Sequence, residues 1–155
     1  MHAASPRAVV IDTNVVLDLL VFDDPSVQPL RAALADGRLC WRVLPGMREE
    51  LARVLAYPRV ASSLCARALA PDAVLAAFDA ASRMAAPVPA APVRCTDPDD
   101  QPFLDLALAH GALLATKDKA VLATRKRMAA HGVDIWQPFV TKASAALDLM
   151  PVIGA

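Results

Sequence analysis

The chain has 155 residues and a formal net charge of zero, with 16 Lys and Arg against 16 Asp and Glu. That length fits a single domain over residues 1–155 with room for a real core. Neutrality excludes tight nucleic-acid binding by overall charge, because neutralising phosphates takes clustered Lys and Arg; such binding would fall to local patches or metal ions.

Hydrophobic residues make up 56% of the chain, and many are Ala, which favours helix. Cys40, Cys65 and Cys95 are isolated and lack CxxC spacing, so buried thiols in a reducing compartment are expected rather than a zinc or redox site. Residues 1–7 hold no apolar run of signal-peptide length. No run of about 18 apolar residues is free of charge. No membrane span and a cytoplasmic location are therefore expected.

The first element is the most informative. Val9, Val10 and Ile11 are β-branched and lead directly into Asp12-Thr13-Asn14. An uninterrupted apolar run suits a strand covered on both faces, as in a parallel sheet. Ligands of such sheets sit beyond the carboxyl ends of the strands, where Asp12 falls. Asp12-Thr13-Asn14 serves equally as the cap of a following helix, Val15 to Val21. Asp23-Asp24-Pro25-Ser26 breaks that helix, and another follows from Val27 to Ala35, stopped by Asp36-Gly37.

Leu39 to Leu44 reads as a second strand and Pro45-Gly46 as a turn. Met47 to Ala56 is a third helix, ended by Tyr57-Pro58 because a residue before Pro avoids the α region. Residues 60–86 are Ala-rich and predict two helices broken near Ala70-Pro71-Asp72, with Asp72 as a cap. Pro87, Pro89 and Pro92 form an extended connection with a strand near Val93. Asp97-Pro98-Asp99-Asp100 opens a helix to Ala109, closed by His110-Gly111. Ala112 to Ala115 is a strand, a helix lies near Val121, Val133 to Trp136 is the last strand, and Thr141 to Leu149 a final helix. Short strands alternating with helices mean an α/β domain on a mainly parallel sheet of about four to five strands.

Helical spacing sorts the acids. Met47, Leu51, Val54 and Leu55 share one face, with Glu50 at its edge and Glu49 opposite. Phe103, Leu104 and Ala107 mark the buried face of the later helix. Asp100 projects at that angle and Asp105 away from it. Asp118 follows a strand end within Thr116-Lys117-Asp118. Gathered at one edge, Asp12, Asp100 and Asp118 would repel unless a cation neutralised them. Hard oxygen ligands of this kind suit Mg²⁺ or Mn²⁺ and metal-assisted phosphoryl transfer or phosphodiester hydrolysis. As the bland alternatives, Glu50 is a solvated helix residue and Asp99 or Asp100 is a helix cap.

Val10-Ile11-Asp12-Thr13-Asn14, Glu50-Leu51 with Arg53-Val54-Leu55 and Pro58, Asp97-Pro98-Asp99-Asp100 with Phe103-Leu104 and Ala107, then Gly111 and Thr116-Lys117-Asp118, together resemble the PIN-domain family. They are most similar to its bacterial toxin components of toxin–antitoxin pairs. The resemblance implies a three-layer α/β/α sandwich and a Mg²⁺- or Mn²⁺-dependent ribonuclease leaving a 5′-phosphate and a 3′-hydroxyl. It assigns Asp12, Glu50, Asp100 and Asp118 as the catalytic, metal-binding acids, with Thr13, Asn14 and Thr116 in support. It also implies an RNA substrate and a small antitoxin protein, and the Ala-rich helical face of residues 60–86 is the surface expected to serve a homodimer or that partner, or else part of the core.

Lys117 to Arg127 holds Lys117, Lys119, Arg125, Lys126 and Arg127 against Asp118 alone, a local charge of +4 (five minus one). This stretch is the candidate for holding RNA phosphates, or else a solvated helix end. His131 reads as a surface residue, and Trp41 and Trp136 as core. Two other functional classes remain: a phosphatase or phosphotransfer domain using the strand-end Asp as nucleophile, whose haloacid-dehalogenase type is opposed by Asn14 where a second Asp is expected, and a non-catalytic protein-binding module on the same fold.

Overall fold

The computed structural model describes residues 5–139. Five strands form one all-parallel sheet: β1 (Arg7–Ile11), β2 (Leu39–Val43), β3 (Ser82–Met84), β4 (Leu113–Ala115) and β5 (Ile135–Trp136), in the order β3-β2-β1-β4-β5. β1 lies at the centre. Val9 pairs with Trp41 on one side and Leu113 on the other. Val9, Val10 and Ile11 are buried, as a strand covered on both faces requires.

The helices are α1 (Thr13–Leu17), α2 (Gln28–Ala35), α3 (Pro45–Leu55), α4 (Pro58–Ala66), α5 (Pro71–Ala81), α6 (Gln101–His110), α7 (Lys119–Leu122) and α8 (Arg125–Ala129). The chain steps from β1 to β2 to β3 in one direction, then returns past β1 to β4 and β5. Right-handed crossovers running in opposite directions place their helices on opposite faces. α1 to α5 therefore cover one face and α6 to α8 the other, giving the α/β/α sandwich. Leu104 and Leu106 of α6 and Leu113 and Leu114 of β4 are fully enclosed. Burial of each contributes about 1.5–3 kcal/mol before the entropy of ordering is charged.

Where the expected elements differ, local chemistry explains it. Pro45 and Gly46 do not turn the chain but form the first turn of α3, a position that suits Pro because its missing N–H would be unpaired there. The strand expected near Val93 lies instead at Ser82–Met84, directly after α5. The Ser82 hydroxyl donates to the Phe78 carbonyl (2.6 Å), so the helix ends and the strand begins without a loop. Asp72 lies inside the first turn of α5, whose N-cap is Ala70. Arg125–Ala129 is a helix of its own.

Asp105 does not simply face solvent. It accepts from the Ala91 N–H (2.8 Å) and from Gln101 Nε2 (2.9 Å). Gln101, itself buried, also bonds the Val93 carbonyl (3.0 Å) and the Cys95 N–H (2.7 Å). The two side chains latch the Pro-rich connection onto α6. Cys65 is exposed rather than buried, while Cys40 and Cys95 are half-buried, all three as free thiols. Trp41 is buried and meets Phe78 edge-on, 5.0 Å between centroids; Trp136 is buried and His131 exposed. Among the described residues no single helix is long and apolar enough to cross a membrane. The helix expected at Thr141 to Leu149 lies outside the described residues.

Candidate active site

β1 and β4 are neighbours at the point where the strand order reverses, and the crevice beyond their carboxyl ends is where open parallel sheets bind ligands. Asp12 follows β1 and is 4% exposed. Its backbone N–H extends the ladder to the Ala115 carbonyl (3.0 Å). Its carboxylate has two commitments. Oδ1 accepts from the Asn14 N–H (2.9 Å), capping α1, and Oδ2 accepts from the Thr116 hydroxyl (2.5 Å). Capping and site placement are thus properties of one side chain rather than rival readings.

Thr116 is fully buried just beyond β4. Its hydroxyl donates to Asp12 and accepts from the Asp118 N–H (3.0 Å), so it links the two strand ends. Asp118 caps α7 through Oδ1, which accepts from Ala120 N–H (2.8 Å) and Val121 N–H (3.3 Å).

The other two acids arrive from opposite helical layers. Glu50, on α3, is half-buried while Glu49 is exposed, as helical spacing predicts. The Thr13 hydroxyl is within hydrogen-bonding reach of the Glu50 carboxylate. Asp100 closes a 3₁₀ turn (Pro98–Asp100) ahead of α6. Asp97 caps that turn, accepting from the Asp99 N–H (3.0 Å), and the Asp100 side chain takes no part in capping. Asp100 Oδ2 is buried with no hydrogen-bond partner among the described residues.

The acids feel one another. Asp100 is pushed up from 3.8 to about 7, first by burial and then by the negative charges of Asp118, Asp12, Asp97 and Glu50. Burial also raises Asp12, against the hydrogen bonds from Thr116 and Asn14, with the Asp118 charge adding to the rise. Glu50 is raised by burial, opposed by the Thr13 hydroxyl and by Arg53, while Asp12 and Asp99 add to the rise. Carboxylates raised together by burial and mutual repulsion form an electron-rich oxygen pocket in need of a cation.

Among the described residues no three Asp, Glu, His or Cys side chains stand close enough to make a closed metal cage. The donor chemistry nevertheless fits a hard divalent ion. Such ions take oxygen donors, and Mg²⁺ usually keeps several waters and binds through only one or two carboxylates. The orphaned Asp100 oxygen is the kind of donor it would satisfy.

A cleft of about 490 Å³ takes in Glu50, with Asp99 across from it, and none of Asp12, Asp100 and Asp118 lines it. Glu50, Arg53 and Tyr57 of one layer line it, facing Asp99, Pro102 and Phe103 of the other. A second, mostly apolar groove of about 690 Å³ is lined by Asn14, Leu17, Phe22, Val54, Tyr57 and Arg59, among others.

The basic stretch is more engaged than its composition suggests. Lys117 pairs with the buried Asp18 (2.5 Å), which opens a π-helical turn (Asp18–Phe22) extending α1. Arg125 reaches the Ile135 carbonyl and Arg127 the Arg94 carbonyl, both at 3.4 Å. Lys119 and Lys126 are exposed.

Sequence reasoning missed Arg53, whose spacing three residues after Glu50 on α3 was the available signal. It also missed Tyr57, legible only as the residue before Pro58, and Asp18, which nothing local connects to Lys117.

A family model described as PIN domain matches residues 8–120. Comparison with curated proteins found no match.

Proposed function

The chain belongs to the PIN-domain family, whose members are generally nucleases, and from that premise we propose that it is a Mg²⁺- or Mn²⁺-dependent ribonuclease acting on single-stranded RNA. The observation carrying this reading is the buried, unpartnered Asp100 oxygen, in a carboxyl pushed to about 7 first by burial and then by the charges of Asp118, Asp12, Asp97 and Glu50.

In this reading Asp12 and Asp100 hold the ion directly, and Glu50 and Asp118 complete its surroundings directly or through water. The bound ion would supply two things: a water acidic enough to act as hydroxide near neutral pH, and positive charge against the scissile phosphate. The chain's own residues do the positioning. Thr116 holds Asp12 in one orientation and ties it to the Asp118 backbone. Thr13 and Arg53 keep Glu50 able to ionise. Asn14 fixes Asp12 through its backbone N–H and leaves its own amide exposed. Lys119 and Lys126 are exposed and without an internal partner among the described residues, so they can meet RNA phosphates, while Lys117, Arg125 and Arg127 would have to share themselves with internal partners.

A phosphatase with Asp12 as nucleophile fits less well, because the carboxylate is nearly enclosed and each oxygen already accepts a hydrogen bond. We further propose, on the resemblance, that the chain is the toxin of a toxin–antitoxin pair held by a small antitoxin protein, with the Ala-rich residues 60–86 as the surface for that partner or for a homodimer.

The test is cleavage of labelled single-stranded RNA with Mg²⁺ or Mn²⁺ by the wild type and by Asp12→Asn. Metal-dependent cutting that vanishes in the variant supports the reading. Equal cutting by both chains places the chemistry elsewhere. Folded wild type that neither cuts RNA nor binds metal in calorimetry would favour the protein-binding module.

A further inference from the structure

The acid cleft and the apolar groove share one wall, Tyr57. Tyr57 stands at the corner between α3 and α4, extended (φ −65°, ψ 140°) as the N-cap ahead of Pro58. The residue is 54% exposed, a large hydrophobic left open to solvent as Met84 and Phe139 are. Arg53 lies in the acid cleft on one side of it and Arg59 lines the groove on the other. Asn14, two residues from Asp12 and exposed, also lines the groove.

An exposed aromatic residue that lines both hollows, one holding Arg53 and Glu50 and the other Arg59, has the chemistry of a base-stacking platform. Proteins that hold single strands combine cationic groups for the backbone with aromatic faces for the bases. Size argues for a base over a protein segment. Nine residues line the groove, whereas a stable protein interface uses about 20–30 residues a side. A groove of about 690 Å³ falls within the range of about 300–1,000 Å³ typical of small-ligand sites. Leu17, Phe22 and Val54 would cover the faces of a planar ring, and the Asn14 amide can hydrogen-bond its edge.

We propose that Tyr57 stacks an unpaired nucleobase of the substrate strand in this groove, with Arg53 and Arg59 on the flanking phosphates. This rests on the RNA-cleaving reading of the acid edge and extends it. The strand would cross the acids with one base turned out beside the scissile phosphate. Duplex RNA, whose bases stay stacked and paired, would be refused.

The test measures binding without cleavage. A short fluorescein-labelled single-stranded RNA is titrated in EDTA with the Asp12→Asn chain, then with the same chain carrying Tyr57→Ala or Tyr57→Phe. Tyr57→Ala is expected to weaken binding by about 5- to 150-fold, the range for loss of one stacked base. Tyr57→Phe, which keeps the ring, should bind as the parent does. One abasic position in the RNA should reproduce the loss in the parent and add nothing in Tyr57→Ala. Unchanged affinity in Tyr57→Ala overturns the proposal. So does a parent that ignores RNA while Tyr57→Ala alters its mass by light scattering, which would assign the groove to a second copy of the chain. Ring-dependent binding by a chain whose wild type cuts nothing would sink the ribonuclease reading and leave the stacking site standing.

Discussion

Replacing Asp100 by Asn should stabilise the metal-free protein at alkaline pH. The Asp100 carboxyl loses a proton near 3.8 when unfolded and near 7 when folded, because burial and four neighbouring carboxylates disfavour its charge. Between those values the folded chain binds the extra proton. Stability contributed by the neutral form is therefore complete below about pH 4 and lost as pH rises through about 7. At about 1.4 kcal/mol per pKa unit the ceiling is about 4 kcal/mol. The group is partly open to solvent, and screening lowers that to about 1–2 kcal/mol. Asn removes the charge, and no cap is lost, since the Asp100 side chain makes no cap bond. For a domain of this size the gain corresponds to about 2–8 °C in Tm. Differential scanning calorimetry in EDTA at pH 8 and pH 4 is the assay. Asp100→Asn should melt higher at pH 8, with the gap nearly closed at pH 4. A gap of the same size at both pH values, or a less stable variant at pH 8, would refute the electrostatic reasoning. Adding Mn²⁺ at pH 8 should reverse the order, because an ion that binds the folded wild type more tightly stabilises it more.

Thr116→Val deletes the donor to Asp12 and the acceptor for the Asp118 N–H; chemical denaturation followed by circular dichroism should show a loss of about 1–3 kcal/mol. RNA cleavage should fall with it, and Thr116→Ser should recover both. Gln101→Leu removes three hydrogen bonds that hold the Pro-rich connection. Limited proteolysis should then open within residues 87–95 before the sheet is cut, and unchanged protection would show that Asp105 suffices as a latch. Changing Arg125, Lys126 and Arg127 together to Ala should flatten the salt dependence of RNA binding, by about 0.7 in log–log slope for each single-strand phosphate no longer neutralised. Parallel slopes would place the RNA backbone away from α8.

What could be read directly were the features with short-range causes. The β-branched run Val9 to Ile11 announces a central strand because only a strand covered twice can carry no polar gap. Helical spacing alone put Glu50 rather than Glu49 at the buried edge, and α3 obeys it. Asp12 was legible as a cap residue, since an Asx side chain satisfies local N–H groups; Asp97, rather than Asp99 or Asp100, and Asp118 prove to be caps of the same kind. Gly111 ends α6 at φ 56°, as the sequence predicts for a left-handed stop.

Tertiary structure alone decided what long-range packing controls. β3 forms at Ser82–Met84, although that run is weakly apolar, because it docks on the β2 edge, Trp41 opposite Ser82. No local pattern marks a strand whose stability comes from its neighbour. The bond from Thr116 to Asp12 spans 104 positions. The pairing of Lys117 with Asp18 turns a residue of a basic stretch into an internal tether. Placing β1 beside β4 brings Asp12 and Asp118 toward the 3₁₀ turn that carries Asp100, and burial there, with their charges added, raises the Asp100 carboxyl to about 7, which no single segment could do.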